Sequence, residues 1–559
     1  MKATTGRLGA LRKHYPVVIV GGGINGCGLF RDLAAQGVDC LLVDKGDFCS
    51  GASAAPSRLI HGGIKYLETG EFRLVRQSAM ERNLLLKNAP HYVKPLETVL
   101  PVYSWFGGIL PSIKRFFRLK ATLNDRGAII TEIGLRMYDL FGRHFRTMPN
   151  HRMLLKRSMR AAMPDLTKDI VAAGIYYEGR ITHAERLGLE LLLDGMTDHN
   201  QAIALNYISA TGDGQGGIVL TDALEGENST VTADVVVNAG GAWIDAVNRG
   251  LGIDSHHMGG NKGSHLIVRN PKLHDALGGR MIYFGSADGR VNLLYPFMGN
   301  VLVGSTDIPV RDPDHATCDA EELRYLSAVT REVFPEIEIR PDEIVMTYCG
   351  VRPLPRSEGI DPGAVSRDHS IARDLMPDGR TPVYSLIGGK WTTYRGFSEE
   401  AADLVLGLLR HGRRCSTRDM AIGGGRDYPD DPAAAVRFVD TLSAKMRSRE
   451  AAVDLIHRYG TRAQLVADAE AAEKDRPLQS LPAYGRSELA WICRNERVGR
   501  LSDLLFRRTD IALSGRLSAA VIEEAAEIAA ESLEWDSARR QIEIDATLQT
   551  CHAHGMVIS

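Results

Sequence analysis

Apolar and polar positions fall into blocks that switch period several times along this chain. Val17 to Val20 form a short unbroken apolar run, followed by glycines and then by apolar positions at helical spacing. Cys40 to Val43 form a second such run. This order predicts a buried strand, a tight turn, a helix beginning near Asn25 and a second strand. Val235 to Val237 repeat the pattern and run into the small residues Asn238 to Gly241. Between about 260 and 315, GSHLIV, GRVNLLYPFMG and NVLVGSTDI read as strands of a mixed sheet joined by turns. Residues 70–95 carry Leu, Met and charged residues at helical spacing before a Pro-limited turn, and 320–334 predict a short helix. EIVMTYCGVRPLPRS returns to strand and loop. YSLIGGKWTTYRGFSEEAADLVLGLL predicts a strand, a Gly-Gly turn and a helix from near Thr393. Segments 431–475 and 484–540 place Ala, Glu, Arg and Leu at helical spacing throughout.

These elements predict an α/β protein with an α+β substrate region. A Rossmann-like dinucleotide-binding domain is expected from the discontinuous pieces 14–75, 170–255 and 345–410. A mixed-sheet substrate domain is expected from 76–169 and 256–344, and a helical C-terminal cap domain from 411–559. A length of 559 residues, 44% hydrophobic and 24% charged, accommodates several ordinary globular cores. The 57 Gly and 23 Pro supply turns without any collagen or linker period.

The strongest chemical signal is YPVVIVGGGINGCGLFRDLAAQGVDCLLVDKG. Gly21, Gly23 and Gly26 have GxGxxG spacing between strand and helix, which permits close approach of a pyrophosphate to backbone amides at the helix N-terminus. Asp44 ends the second strand, where a carboxylate accepts ribose hydroxyls. An acid there disfavours the 2'-phosphate of NADP, but does not separate FAD from NAD. The GGGRD stretch near 422 lacks a strand–turn–helix context and predicts no second phosphate site.

The eight Cys are scattered, with no CxxC pair and no compact ligand cluster. Reduced thiols, no metal site, no Fe–S centre and a cytoplasmic location are expected. A net charge of -2 argues against a broad nucleic-acid surface. No secretory leader or transmembrane stretch is expected. WFGGILPSIKRFFRLKATL, at 105–123, combines Phe116 and Phe117 with Lys114, Arg115 and Arg118. Its pattern suits a helix lying at an anionic membrane surface, or one docked on the protein's own core. Ser57 and His61 lack the context of a hydrolase triad.

In sequence order, VVIVGGGINGCGLFRDLAAQG, SRLIHGGIKYLETGEFRLV, NAGGAWID, NKGSHLIV, GSTDI, YCGVRPL, SRDHS and GGKWTTYR span most of the chain, and AWICRNERVGRLSDLLFRRT follows. This set resembles the FAD-dependent glycerol-3-phosphate dehydrogenase family, within the larger group of glycine/D-amino-acid-oxidase-like flavoproteins. The resemblance implies noncovalent FAD, a phosphorylated polyol substrate, and oxidation of sn-glycerol-3-phosphate to dihydroxyacetone phosphate. It also implies electron delivery to a membrane quinone, with peripheral attachment on the cytoplasmic face. Homo-oligomer formation stays open.

The resemblance places Arg352 and Arg367 on the substrate phosphate, where paired guanidinium bonds suit its oxygens. It places Lys390 near the developing negative charge and His265 in the catalytic region. There an imidazole titrating near working pH can take the hydroxyl proton. Lys65, Tyr66 and Thr393 join the substrate contacts. Gly21, Gly23, Asn25, Gly26, Asp44, Ser57, His61, Gly62, Gly240, Gly350, Gly389, Lys390 and Thr392 join the cofactor contacts. The chain departs from the family at Lys65, which stands where GGLRYLE has arginine and loses bidentate geometry. Erythritol 4-phosphate or another longer polyol phosphate is therefore an alternative substrate. A noncatalytic flavin-binding, membrane-associated protein is the alternative of another class.

Overall fold

The computed structural model describes residues 6–67, 70–108, 127–142, 147–286, 288–310, 312–356, 368–473 and 475–558, with the side chain of Lys65 excepted. Arg367 and residues 109–123 of the basic-aromatic segment lie outside them, so the contacts expected there are not described.

The chain builds two main sheets. In the first, His14–Val20 lies between Cys40–Val43 and Asn228–Asn238, and all are parallel. Pro382–Ile387 continues the parallel order on one side, Ile203–Leu205 on the other, and Ser370–Leu375 closes one edge antiparallel. Val17, Val18 and Ile19 are fully buried because both faces of the sheet are covered, Val17 and Ile19 by helices and Val18 by residues of the strands Ile208–Gly212 and Ile218–Asp222, which explains the unbroken apolar run. The helices Ile24–Ala35, Ala184–Asp198 and Tyr394–Leu408 pack with one face of this sheet into a common core.

Register decides where this sheet binds. Val20 aligns with Val43 on one side and with Asn238 on the other. Three parallel strands therefore end level, and Gly21, Asp44 and Gly240 leave from one edge. A ligand site is expected at that edge of a doubly wound sheet.

The second sheet is mixed, and Asn261–Val268 pairs with Asn300–Gly304, Ile308–Pro309 and Ile344–Arg352. The expected division of the chain needs correction here. Ala172–Ile181 pairs along its whole length with Val93–Val102, and Ile344–Arg352 with Asn261–Val268. Both strands therefore belong to the second sheet, although 170–255 and 345–410 were expected wholly in the nucleotide unit. Strand periodicity reports burial and not the identity of the partner. The C-terminal helices, from Pro432–Ser443 to Ser537–Ala553, share a core with Tyr295, Phe297 and Tyr348 of this sheet. The glycines at 423–425 are buried against Glu190, Tyr459 and Asn88.

Candidate active site

A cavity of about 650 Å³ runs between the two sheets. Its nucleotide end is lined by Gly21, Gly23, Asn25, Asp44 and Gly240, and its far end by His61, Tyr66, His265, Arg352 and Lys390. Ser57, Gly350, Gly389 and Thr392 also line it. Side chains separated by more than three hundred positions thus meet because the strands carrying them end at one crevice.

At the nucleotide end, Gly21 has φ +113°, and a Cβ there would stand 2.5 Å from the Ala239 carbonyl. The bare backbone leaves room for a phosphate to approach the start of the helix Ile24–Ala35. Asp44 accepts from the Gly22 amide at 2.6 Å and the Gly46 amide at 2.8 Å. Burial pushes its carboxyl up to about 6, against the pull of those amides. Trp243 and Lys45 also line this end and were not foreseen. The Lys45 ammonium sits 4.8 Å from the Trp243 ring centroid, and both side chains bond to Asp314. Lys45 directly follows Asp44, and Trp243 lies inside GGAW, but neither residue type carries a dinucleotide signature.

The loop from 50 to 58 joins the two ends, and the second sheet holds it. Tyr348 donates to the Pro56 carbonyl at 3.1 Å and Tyr295 to the Ser57 carbonyl at 2.9 Å. Arg58 is fully buried and donates to Glu185 at 3.0 Å, with φ +53°. That residue supports the loop and is not a wall of the cavity. Trp391 donates to the Ser53 carbonyl at 3.1 Å and ties the same loop to the Gly388–Gly389 turn.

At the far end, Arg352 donates to Asp307 at 2.7 Å, to the Thr306 carbonyl at 3.1 Å and to Ser305 at 3.3 Å. Lys390 Nζ lies 3.7 Å from the Tyr66 ring centroid, a cation–π contact that fixes both side chains. His265 stacks on Tyr348 with ring centroids 5.0 Å apart. Burial, then the positive charges of Arg352 and Arg58, push the His265 imidazole down to about 3. Burial therefore works against the proton-accepting role expected of His265. His61 stands closer to solvent, with its Nδ1 3.9 Å from the buried Glu178 carboxylate.

Three expected contacts fall outside the wall. Gly26 packs against the Gly21 carbonyl, where a Cβ would come within 1.9 Å. Gly62 sits behind the wall, and its amide donates to Glu178 at 2.8 Å. Thr393 is buried because the 3-10 turn Trp391–Thr393 directs it inward.

The wall suits FAD. It combines the bare turn and helix start with a ribose-accepting carboxylate. Among the described residues, buried Asn25 Oδ1 and both His265 nitrogens lack a protein partner. Buried polar atoms of this kind require a ligand or water.

The sequence matches the FAD dependent oxidoreductase family over residues 16–395 and the C-terminal domain of alpha-glycerophosphate oxidase over 415–540. It is 34% identical over 522 residues to glycerol-3-phosphate dehydrogenase from Synechocystis sp., covering 89% of each chain. It is 28% identical over 518 residues to aerobic glycerol-3-phosphate dehydrogenase from Bacillus subtilis, covering 89% of this chain and 87% of that one. The fold matches glycerol-3-phosphate dehydrogenase from Bacillus halodurans, complexed with FAD, at TM-score 0.72 and 23% identity, over 97% and 95% of the two chains. With a Rossmann-type crevice, a mixed second sheet and a helical C-terminal region all in place, the chain belongs to the glycerol-3-phosphate dehydrogenase family of FAD-dependent oxidoreductases.

Proposed function

We propose that this protein oxidises sn-glycerol-3-phosphate to dihydroxyacetone phosphate. The observation that carries the proposal is the convergence of Arg352, Lys390, His61 and His265 at one end of a cavity whose other end is built for a dinucleotide. Bound FAD supplies the acceptor for the hydride that leaves the carbinol carbon. Arg352 binds the phosphate through directional, charge-assisted hydrogen bonds, held in place by Asp307 and the Thr306 carbonyl. Lys390, fixed over Tyr66, stabilises negative charge as the hydroxyl loses its proton. His265 gives a neutral hydrogen bond. His61 takes the hydroxyl proton, because burial leaves His265 too weakly basic.

Lys65 and Arg367 complete the substrate contacts in this proposal on the strength of their motifs. Bound flavin would supply electrons to a membrane quinone, with the protein working as a peripheral protein. Phe106, Ile129, Ile133 and Leu140 support a surface contact of that kind. They are 71%, 42%, 54% and 61% exposed and lie within or just after the basic-aromatic stretch at 105–123. No helix among the described residues is long and apolar enough to cross a membrane.

Anaerobic stopped-flow reduction of the holoenzyme tests the proposal, with glycerol-3-phosphate and erythritol 4-phosphate compared on one preparation. Faster second-order reduction by glycerol-3-phosphate supports it. Faster reduction by the four-carbon substrate moves the assignment to a longer polyol phosphate, the alternative that Lys65 keeps open. Reduction by neither leaves a noncatalytic flavoprotein.

A further inference from the structure

Glu178 has no part in the motifs above, yet its carboxylate lies directly behind the cavity wall. It sits on the strand Ala172–Ile181, whose other charged residue is Arg180, and is fully buried. A buried carboxylate is costly unless donors surround it. Here the donors come from three separate segments. The Gly62 amide donates at 2.8 Å, the Tyr138 hydroxyl at 3.1 Å and Arg82 Nη1 at 3.5 Å. Arg82 is itself held by the Tyr177 carbonyl and the Tyr138 hydroxyl. Burial raises the Glu178 carboxyl, but His61 first, then Arg82 and the Gly62 amide, outweigh it and hold the group below its ordinary value. The carboxylate is thus charged, rigid and fixed from behind.

Among the described neighbours of this carboxylate, one faces the cavity. His61 lines the wall and presents Nδ1 to Glu178 Oε1 at 3.9 Å. That distance is beyond a direct hydrogen bond, so the carboxylate acts on the ring through its charge. The other face of the imidazole approaches Tyr283, with ring centroids 6.3 Å apart. The chain is also shaped to allow this approach. A Cβ on Gly62 would stand 1.9 Å from the Tyr138 hydroxyl and 2.6 Å from Arg82 Nη1. A glycine beside His61 therefore lets the anchored carboxylate come up behind the ring.

We infer that Glu178 is a positioning residue, which holds His61 with Nδ1 turned inward and Nε2 offered to the substrate hydroxyl. A carboxylate behind an imidazole selects one tautomer and stabilises the imidazolium formed on proton uptake. In the reaction the hydroxyl O–H bond breaks and its proton goes to His61 Nε2, while bound FAD would supply the acceptor for the electron pair of the broken C–H bond. Glu178 touches neither substrate nor cofactor. The inference rests on the alcohol oxidation proposed above.

The test uses holoenzyme carrying Glu178→Gln, His61→Asn, or both. Glu178→Gln preserves shape and still accepts from the Gly62 amide. Anaerobic reduction by glycerol-3-phosphate is expected to slow by roughly 10- to 100-fold at saturation, with half-saturation changed less than about threefold. In the His61→Asn background the same substitution is expected to cost less than about twofold, because its effect runs through the ring. Equal losses in both backgrounds would overturn the inference, as would an unchanged rate in the single variant. If Glu178→Gln does not fold, Tyr138→Phe removes one anchor. A smaller loss of the same His61-dependent pattern is then expected, and a loss independent of His61 counts against the inference. A readout that needs no substrate separates this inference from the proposed function. Diethyl pyrocarbonate modification of His61 at pH 8.5, above the ordinary imidazole range, followed by peptide mass spectrometry, is expected to slow by at least about threefold in Glu178→Gln. If no phosphorylated polyol reduces the enzyme, the proposed function fails, and the modification rate decides the role of Glu178.

Discussion

Arg352 and Asp307 are joined at 2.7 Å at the far end of the cavity, on neighbouring segments of the second sheet. The guanidinium is thus oriented before an anion arrives, and Asp307 is the residue that sequence patterns passed over. Arg352→Ala is expected to lower kcat/KM for glycerol-3-phosphate by about 30- to 150-fold, the loss of one strong charge-assisted interaction of about 2–3 kcal/mol. Arg352→Lys keeps the charge but loses the fork, and recovers only part of the loss. Steady-state kinetics with an artificial acceptor measures both, and full activity in Arg352→Lys would argue against directional phosphate binding.

Asp44 governs the other end. Loss of its ribose-accepting oxygens in Asp44→Ala is expected to weaken FAD binding by about tenfold or more, measured by fluorescence titration of apoprotein. Because burial raises this carboxyl to about 6, its acceptor form is lost as pH falls through that value. Flavin affinity of the parent protein should therefore drop between pH 7 and 5, and the variant should show a flatter profile.

Arg58 and Glu185 form a buried ion pair under the loop that carries His61. Glu185→Ala leaves the guanidinium buried without its carboxylate, a change expected to cost about 3–5 kcal/mol of stability. Urea unfolding of the flavin-free protein measures it. A shift under about 1 kcal/mol would mean that the Ala54 and Thr182 carbonyls, which also accept from Arg58, suffice.

Two buried imidazoles make the fold acid-sensitive. His183 and His265 are each held down to about 3, chiefly by burial, from an ordinary value of 6.5. Between these values the unfolded chain binds more protons than the folded one, so stability is complete above pH 6.5 and falls as pH drops. The slope is about 1.4 kcal/mol per pH unit for each group. His183→Phe, away from the cavity, should flatten thermal stability between pH 6.5 and 5, and an unchanged slope would exclude His183 as a contributor.

The exposed apolar side chains near the basic-aromatic stretch make a surface prediction. Phe106→Ser with Ile133→Ser removes two large exposed side chains. Burying one such side chain is worth about 1.5–3 kcal/mol, so sedimentation with anionic vesicles should fall by roughly tenfold or more. Equal sedimentation would place any membrane contact elsewhere.

Much of the nucleotide end was legible in the chain itself. Val17 to Val20, the spaced glycines, the helix from Ile24 and the acid after Val43 are neighbours in sequence, and each obeys a local rule of period, turn or cap. The local rules also set the helical character of the C-terminal region. His265 shows where they stop: its motif marked a catalytic histidine, but basicity depends on burial beside Arg352 and Tyr348, which no spacing reports. Glu178 is the converse, a charge that strand alternation would send toward solvent. Its role appears only when Gly62, Tyr138 and Arg82 converge on it from distant segments. Local order along the chain determined the cofactor turn and the elements themselves. Tertiary packing decided which strands share a sheet, which histidine is buried and which carboxylate stands behind the cavity wall, because desolvation and charge act through space and not along the backbone.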